Sequence, residues 1–217
     1  MKTKNHPRYP LVVVAAFSVA AAATTLVAQS QKPLVAPAEK EKPVNKMIAL
    51  EGRKDTEMKS SLEGVHDFDF FMGNWRVHHR RLKDRLANSQ DWVEFDGTCA
   101  SQKILGGFGN MDDSTLNLPD GPYRAVTLRA YDPKTNQWSI WWLDSRYPGQ
   151  LDPPVVGRFE NGVGTFYAND TFKGKPIRVR FLWTRVMSGT PHWEQAFSVD
   201  AGESWETNWT MDFTKAP

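Results

Sequence analysis

From residue 75 onward the chain is built of short β-branched and aromatic runs, each ended by turn-forming residues. The runs are WRVHHRRL (75–82), WVEFDGTCASQKIL (92–105), YRAVTLRAY (123–131), WSIWWLDSR (138–146), VVGRF (155–159), GTFYAND (164–170), IRVRFLWTR (177–185), HWEQAFSV (192–199) and WETNWTMDF (205–213). Between several of them stand DPKTNQ, ENG, FKGK, MSGTP and DAGES, whose Gly, Pro, Asn and Asp favour tight turns. Alternation with period two marks them as half-buried strands. Ile177, Val179, Phe181 and Trp183 share one face, with Arg178, Arg180 and Thr184 on the other. Trp205, Trp209, Met211 and Phe213 likewise oppose Glu206, Asn208 and Asp212. About nine strands joined by short loops predict an all-β antiparallel sandwich or barrel. An up-and-down barrel is preferred because closure leaves no long edge exposed.

Ahead of these strands the chain changes character twice. Lys2, Lys4 and Arg8 precede an apolar run from Leu11 to Ala28 that ends at Ala28-Gln29-Ser30, the order of a secretory signal peptide. Residues 1–30 are therefore expected to be cleaved, leaving a periplasmic or secreted protein with no membrane attachment; an uncleaved anchor is the alternative. No cysteine follows the run, which argues against a lipid anchor there. Residues 31–60 mix Pro, Lys and Glu without a period and read as a disordered linker. Residues 61–217 have the length of one domain.

Without residues 1–30 the chain has 24 basic and 25 acidic residues, a formal charge of −1, so nucleic acid is not an expected partner. Cys99 is the single cysteine, which excludes an internal disulfide and is expected to be buried. A capping-box pattern from Ser60 to Glu63 opens a short helix leading to Gly73.

Gly73-Asn74-Trp75 resembles the G-x-W signature of calycins, the superfamily of lipocalins and related barrels. The text HDFDFFMGNWRVHHRRL, with WWLDSR, PPVVGRFENGVGTFY and WEQAFSVDAGESWETNWTMDF, resembles a bacterial secreted calycin-like domain-of-unknown-function family over residues 64–214. The resemblance implies a calycin-like barrel and carries no established activity. Where the lipocalin pattern has a C-terminal arginine, this chain has Lys215.

If consecutive strands are neighbours, Tyr131 lies near Trp138 and Arg124 near Asp144 and Arg146. The expected site gathers Trp142, Asp144, Arg146 and Arg124, with Trp75 at the same end of the barrel. Two uses compete for it. Arg146 or Arg124 stacks on Trp75 and closes the barrel floor with Asp144 neutralising it, or the guanidinium groups hold an anionic small-molecule ligand against Trp142.

His66, Asp67 and Asp69 fit helix entry better than a metal site. His78 and His79 point to opposite faces and cannot chelate together; an inward His79 suits a hydrogen-bonded interior histidine better than a heme ligand. SVDAGESW (198–205) reads as a single Asp-containing turn rather than a propeller repeat. No cofactor or metal is expected.

The leading expectation is thus a barrel binding a small amphipathic, anionic ligand. One alternative is a hydrolase or isomerase using Asp144 or Glu194 with an arginine. Another is an interaction module with a filled core, docking through Trp141, which a homodimer would cover.

Overall fold

The computed structural model describes residues 62–217. The signal peptide and linker read from the sequence, with Ser60, lie outside the described residues. These described residues form a closed antiparallel barrel of ten strands: β1 (Gly73–Leu82), β2 (Trp92–Ile104), β3 (Gly109–Leu118), β4 (Gly121–Asp132), β5 (Gln137–Asp144), β6 (Val155–Glu160), β7 (Val163–Phe172), β8 (Lys175–Thr184), β9 (His192–Ser198) and β10 (Glu206–Lys215). Each strand pairs with the next, and β10 returns to β1 with Lys215 opposite Trp75 and Trp209 opposite Arg81.

This is the up-and-down barrel that the alternation predicts, with one strand more. The strand not foreseen is β3, GNMDDSTLNL. Its inward positions are Asn110, Asp112, Ser114 and Leu116, opposite Arg129, Thr127, Ala125 and Tyr123 of β4. A strand whose core-facing side is mostly polar has no hydrophobic alternation to betray it.

The segment before β1 forms two short 3₁₀ turns, Glu63–His66 and Asp69–Phe71, in place of the expected helix. It plugs one end of the barrel. Phe68 and Phe71 are each 1% exposed, worth about 1.5–3 kcal/mol of burial apiece. Phe71 stacks on Trp75, with ring centroids 5.7 Å apart, and meets Trp183 and Phe213 edge-on. Phe68 meets Trp138 and Phe159 edge-on at 5.0 Å. Two indoles pin the plug's backbone: Trp75 donates to the Phe71 carbonyl (2.7 Å) and Trp138 to that of Gly64 (2.9 Å). Gly73 then turns the chain into β1 at φ = 102°, a conformation that favours glycine.

The cation over Trp75 is Lys215, whose Nζ lies 3.9 Å from the ring centroid and also donates to the Met72 carbonyl. Neither Arg146 nor Arg124 plays that part.

β10 carries a bulge between Thr207 and Trp209. It breaks the parity expected there: Trp209, Met211 and Phe213 face inward, whereas Trp205 lies outside beneath the Arg180 guanidinium, 4.7 Å away. Asn208 is buried and accepts from Gln195 (2.8 Å). The thinnest pairing in the barrel is β5 with β6, three residue pairs from Trp138↔Gly157 to Ile140↔Val155. At Gly157 β6 runs so close to β7 that a Cβ would fall 1.9 Å from the Thr165 carbonyl oxygen.

Candidate functional site

Odd-numbered strands start at the plugged end and even-numbered strands finish there, so the opposite end collects Leu82, Tyr123, Asp144, Phe172 and Phe197. Between this mouth and the plug lies a cavity of about 560 Å³, within the range of small-molecule sites. The barrel is not filled. One wall is aromatic, with Trp142, Phe181, Trp193 and Trp209, and the other is polar, with Asp112, Ser114, Thr127 and Arg129.

The inner end of the polar wall is an ion pair withdrawn from water. Arg129 and Asp112 side chains are each 4% exposed and joined at 2.6 Å. Arg129 also donates to Asn110 (2.9 Å), and its guanidinium lies 5.1 and 5.0 Å from the rings of Phe68 and Phe71. Asp112 accepts from the hydroxyls of Ser114 (3.1 Å) and Thr127 (3.2 Å). The carboxylate is thereby satisfied, whereas Arg129 Nε is buried with no acceptor.

The mouth holds three arginines. Arg146 is committed to Asp144: its Nε lies 2.9 Å from one carboxylate oxygen and its backbone N–H donates to the same oxygen at 2.8 Å. Burial works against the Asp144 carboxylate, but these bonds outweigh it and hold its pKa below the usual range. The Arg146 guanidinium lies over Tyr123, 3.7 Å from the ring centroid.

Arg81 and Arg85 make no ion pair among the described residues. Arg81 lies over Trp209 (5.3 Å) and Phe95 (5.8 Å), and Arg85 over Phe197 (5.7 Å). Burial, and next the charge of Arg81, lower the Arg85 pKa to about 10, which leaves it a cation at neutral pH. The Tyr123 hydroxyl is buried close to Arg81 and Arg146. Asp152 and Asp170 line the opposite lip, and burial, with the charges of Asp170 and Asp144, raises the Asp152 pKa.

Of the expected site residues, Trp142, Asp144 and Arg146 line this cavity. Arg124 does not. The register sets Ala125 opposite Asp144 and Thr127 opposite Trp142, so Arg124 points outward, where it pairs with Asp113. Trp75 is at the plugged end, a barrel's length from Asp144. That correction follows from β3: one strand more between β1 and β5 makes them run in the same direction, so the start of β1 and the end of β5 are at opposite ends. Arg81, Arg85, Tyr123 and Arg129 are the members the sequence reading missed. For Arg81 the signal was present, since it continues the inward series Trp75, Val77, His79.

His79 is buried, stacked on Phe95 at 4.6 Å, and accepts at Nδ1 from Trp209 (3.3 Å). Burial, then the nearby charges of Arg81 and His78, lower its pKa to about 3, so the ring is neutral with its proton on Nε2. Glu194 is outside the cavity, bonded to His192 at 3.1 Å. Burial, and secondly the Asp112 charge, drive the Cys99 pKa far up, leaving an inert thiol. Asp200 closes its own turn by accepting from Ser198 (2.7 Å) and the Ser204 N–H (2.9 Å), while Trp205 donates to Gly202 O. Among the described residues no three His, Cys, Asp or Glu side chains gather as a metal site.

His66 bonds Asp69 (3.0 Å), which also pairs with Lys103 (2.7 Å). Asp67 is half-buried beside them, and burial raises its pKa to about 6 against 3.8 in the unfolded chain, opposed by Trp138 and His66. The folded state therefore binds this proton more tightly, so the group's contribution improves as pH falls from above 6 towards 4. Asp67→Asn is expected to raise the melting temperature at pH 7 and to flatten its rise on acidification, read by thermal scans across that range. No rise at pH 7 would count against the assignment.

No family model matches the chain, and no curated protein is similar to it.

Proposed function

We propose that this protein is a calycin-like binding barrel for a small amphipathic anion, acting in the periplasm or outside the cell after loss of residues 1–30. The observation that carries the reading is the pair Arg81 and Arg85, two guanidinium groups without carboxylate partners at the mouth of an aromatic cavity. A carboxylate, sulfonate or phosphate there would accept from guanidinium groups that otherwise lie against aromatic rings. The apolar body would lie on Trp142, Trp193 and Trp209. Asp144 serves by holding Arg146 over Tyr123. The hydrolase reading is weaker, because Asp144 is kept ionised by Arg146 and Glu194 is outside the cavity.

The test is fluorescence titration with anilinonaphthalene sulfonate and with the uncharged N-phenylnaphthylamine. The sulfonate is expected to bind more tightly. Arg85→Ala should weaken it about tenfold to a hundredfold, the worth of one charged hydrogen bond, and leave the neutral probe nearly unchanged. Equal affinities, both indifferent to the substitution, would sink the anion clamp.

A further inference from the structure

Eight charged side chains line the cavity, four arginines and four aspartates. Two pairs are spent on each other, Arg129 with Asp112 at the inner end and Arg146 with Asp144 at the mouth. The remaining four, Arg81, Arg85, Asp152 and Asp170, make no ion pair among the described residues. They are also sorted by sign. Arg81 ends the inward series of β1, and Arg85 follows it in the connection to β2. Asp170 is on β7, and Asp152 comes just before β6, held by its N–H on the Trp142 carbonyl (3.1 Å). β1 and β7 are four strands apart round a ring of ten, so the two signs stand on facing arcs of one opening.

Each arc holds like charges that work against one another. After burial, the Arg81 charge is what lowers the Arg85 pKa, and the Asp170 charge is what raises that of Asp152. Contact between the arcs would relieve both, but the opening keeps them apart. Arg81, Arg85 and Asp170 are half-buried and Asp152 is exposed, so a molecule in the mouth can reach all four.

From this we infer that the ligand has a zwitterionic head group: its anionic part meets Arg81 and Arg85, and an ammonium on the same head meets Asp152 and Asp170. A purely anionic head satisfies one arc and brings its charge towards two carboxylates. A purely cationic head has the opposite fault. A head with both signs answers both arcs, and because its two groups are joined, the second contact forms at high effective concentration. The apolar tail runs along the aromatic wall towards the plug, as in the anion-binding reading on which this inference rests.

Isothermal titration calorimetry separates the two readings. Three detergents share a twelve-carbon tail and are used below their micellar concentrations: dodecanesulfonate, the zwitterion dodecyldimethylammonio-propanesulfonate, and dodecyltrimethylammonium. The zwitterion is expected to bind about fivefold tighter than the plain sulfonate, in keeping with a partly exposed ion pair, and the cation to bind most weakly. Arg85→Ala should weaken both sulfonates. Asp152→Asn combined with Asp170→Asn keeps the side-chain shapes and an acceptor for the Thr171 N–H. It should abolish the preference for the zwitterion and leave dodecanesulfonate bound at least as tightly.

Arg85-dependent binding of dodecanesulfonate with no preference for the zwitterion would overturn the zwitterionic head while leaving the anion assignment standing. A preference that survives the double substitution would do the same. Tightest binding by dodecyltrimethylammonium, or failure of all three to bind, would overturn both readings.

Discussion

Asp112→Asn is expected to cost about 3–5 kcal/mol of folding stability, the usual effect of removing one partner from a buried ion pair. Arg129 would keep its charge under Phe68 and Phe71, 4% exposed, with only Asn110 and a neutral amide to answer it. Domains of this kind have roughly 5–15 kcal/mol in all, so the loss is a large fraction of the total. Urea denaturation should show a lower midpoint with little change in slope. The double replacement Asp112→Leu with Arg129→Met removes both charges and should recover most of the loss. If the single and double variants are equally unstable, the site depends on its shape rather than on charge compensation.

Trp138→Ala is expected to be the second severe substitution, at about 3–5 kcal/mol for truncating a buried aromatic. The indole is 1% exposed and holds the plug through the Gly64 carbonyl, so its removal empties the core and releases the segment that closes the barrel. Its neighbours on β5 should behave differently. Trp142 already borders the cavity, so Trp142→Ala enlarges an existing space, costs less stability and weakens probe binding. Trp141 is on the outer face opposite Leu128, and Trp141→Ala should cost about 1 kcal/mol, near the centre of the distribution for point mutants. Denaturation midpoints for the three variants give the order directly; equal losses would contradict the division of the strand between core, cavity and outside.

That division was legible in WSIWWLDSR, because period-two parity separates Trp138, Ile140, Trp142 and Asp144 from Trp141 and Leu143 whatever the neighbouring strands do. The site was legible only in part. Parity within one strand is local, but bringing Asp144 together with residues of β1 and β4 depends on counting strands and on register. β3 carries Asn110, Asp112 and Ser114 inward because it faces Arg129, and a polar interior face looks like a loop. Its omission reversed the direction of β1 relative to β5 and put Trp75 at the wrong end. Arg124 failed more simply: with Tyr131 opposite Trp138, the residue sharing a face with Asp144 is Ala125. The bulge in β10 has no signature in WETNWTMDF, so parity alone groups Trp205 with residues it does not accompany.

Leu62 comes into the domain beside the plug, and at the far end of the chain Ala216 bonds back to Asn74 across the same rim. Both ends of the domain therefore leave from the floor of the vessel, and the three mouth arginines face the other way. A tag, a surface linkage or a fused reporter joined at either end would hold the barrel from below like a stem under a cup. Immobilised in that manner, the protein would present its opening to solution in one orientation, with no obstruction from the point of attachment.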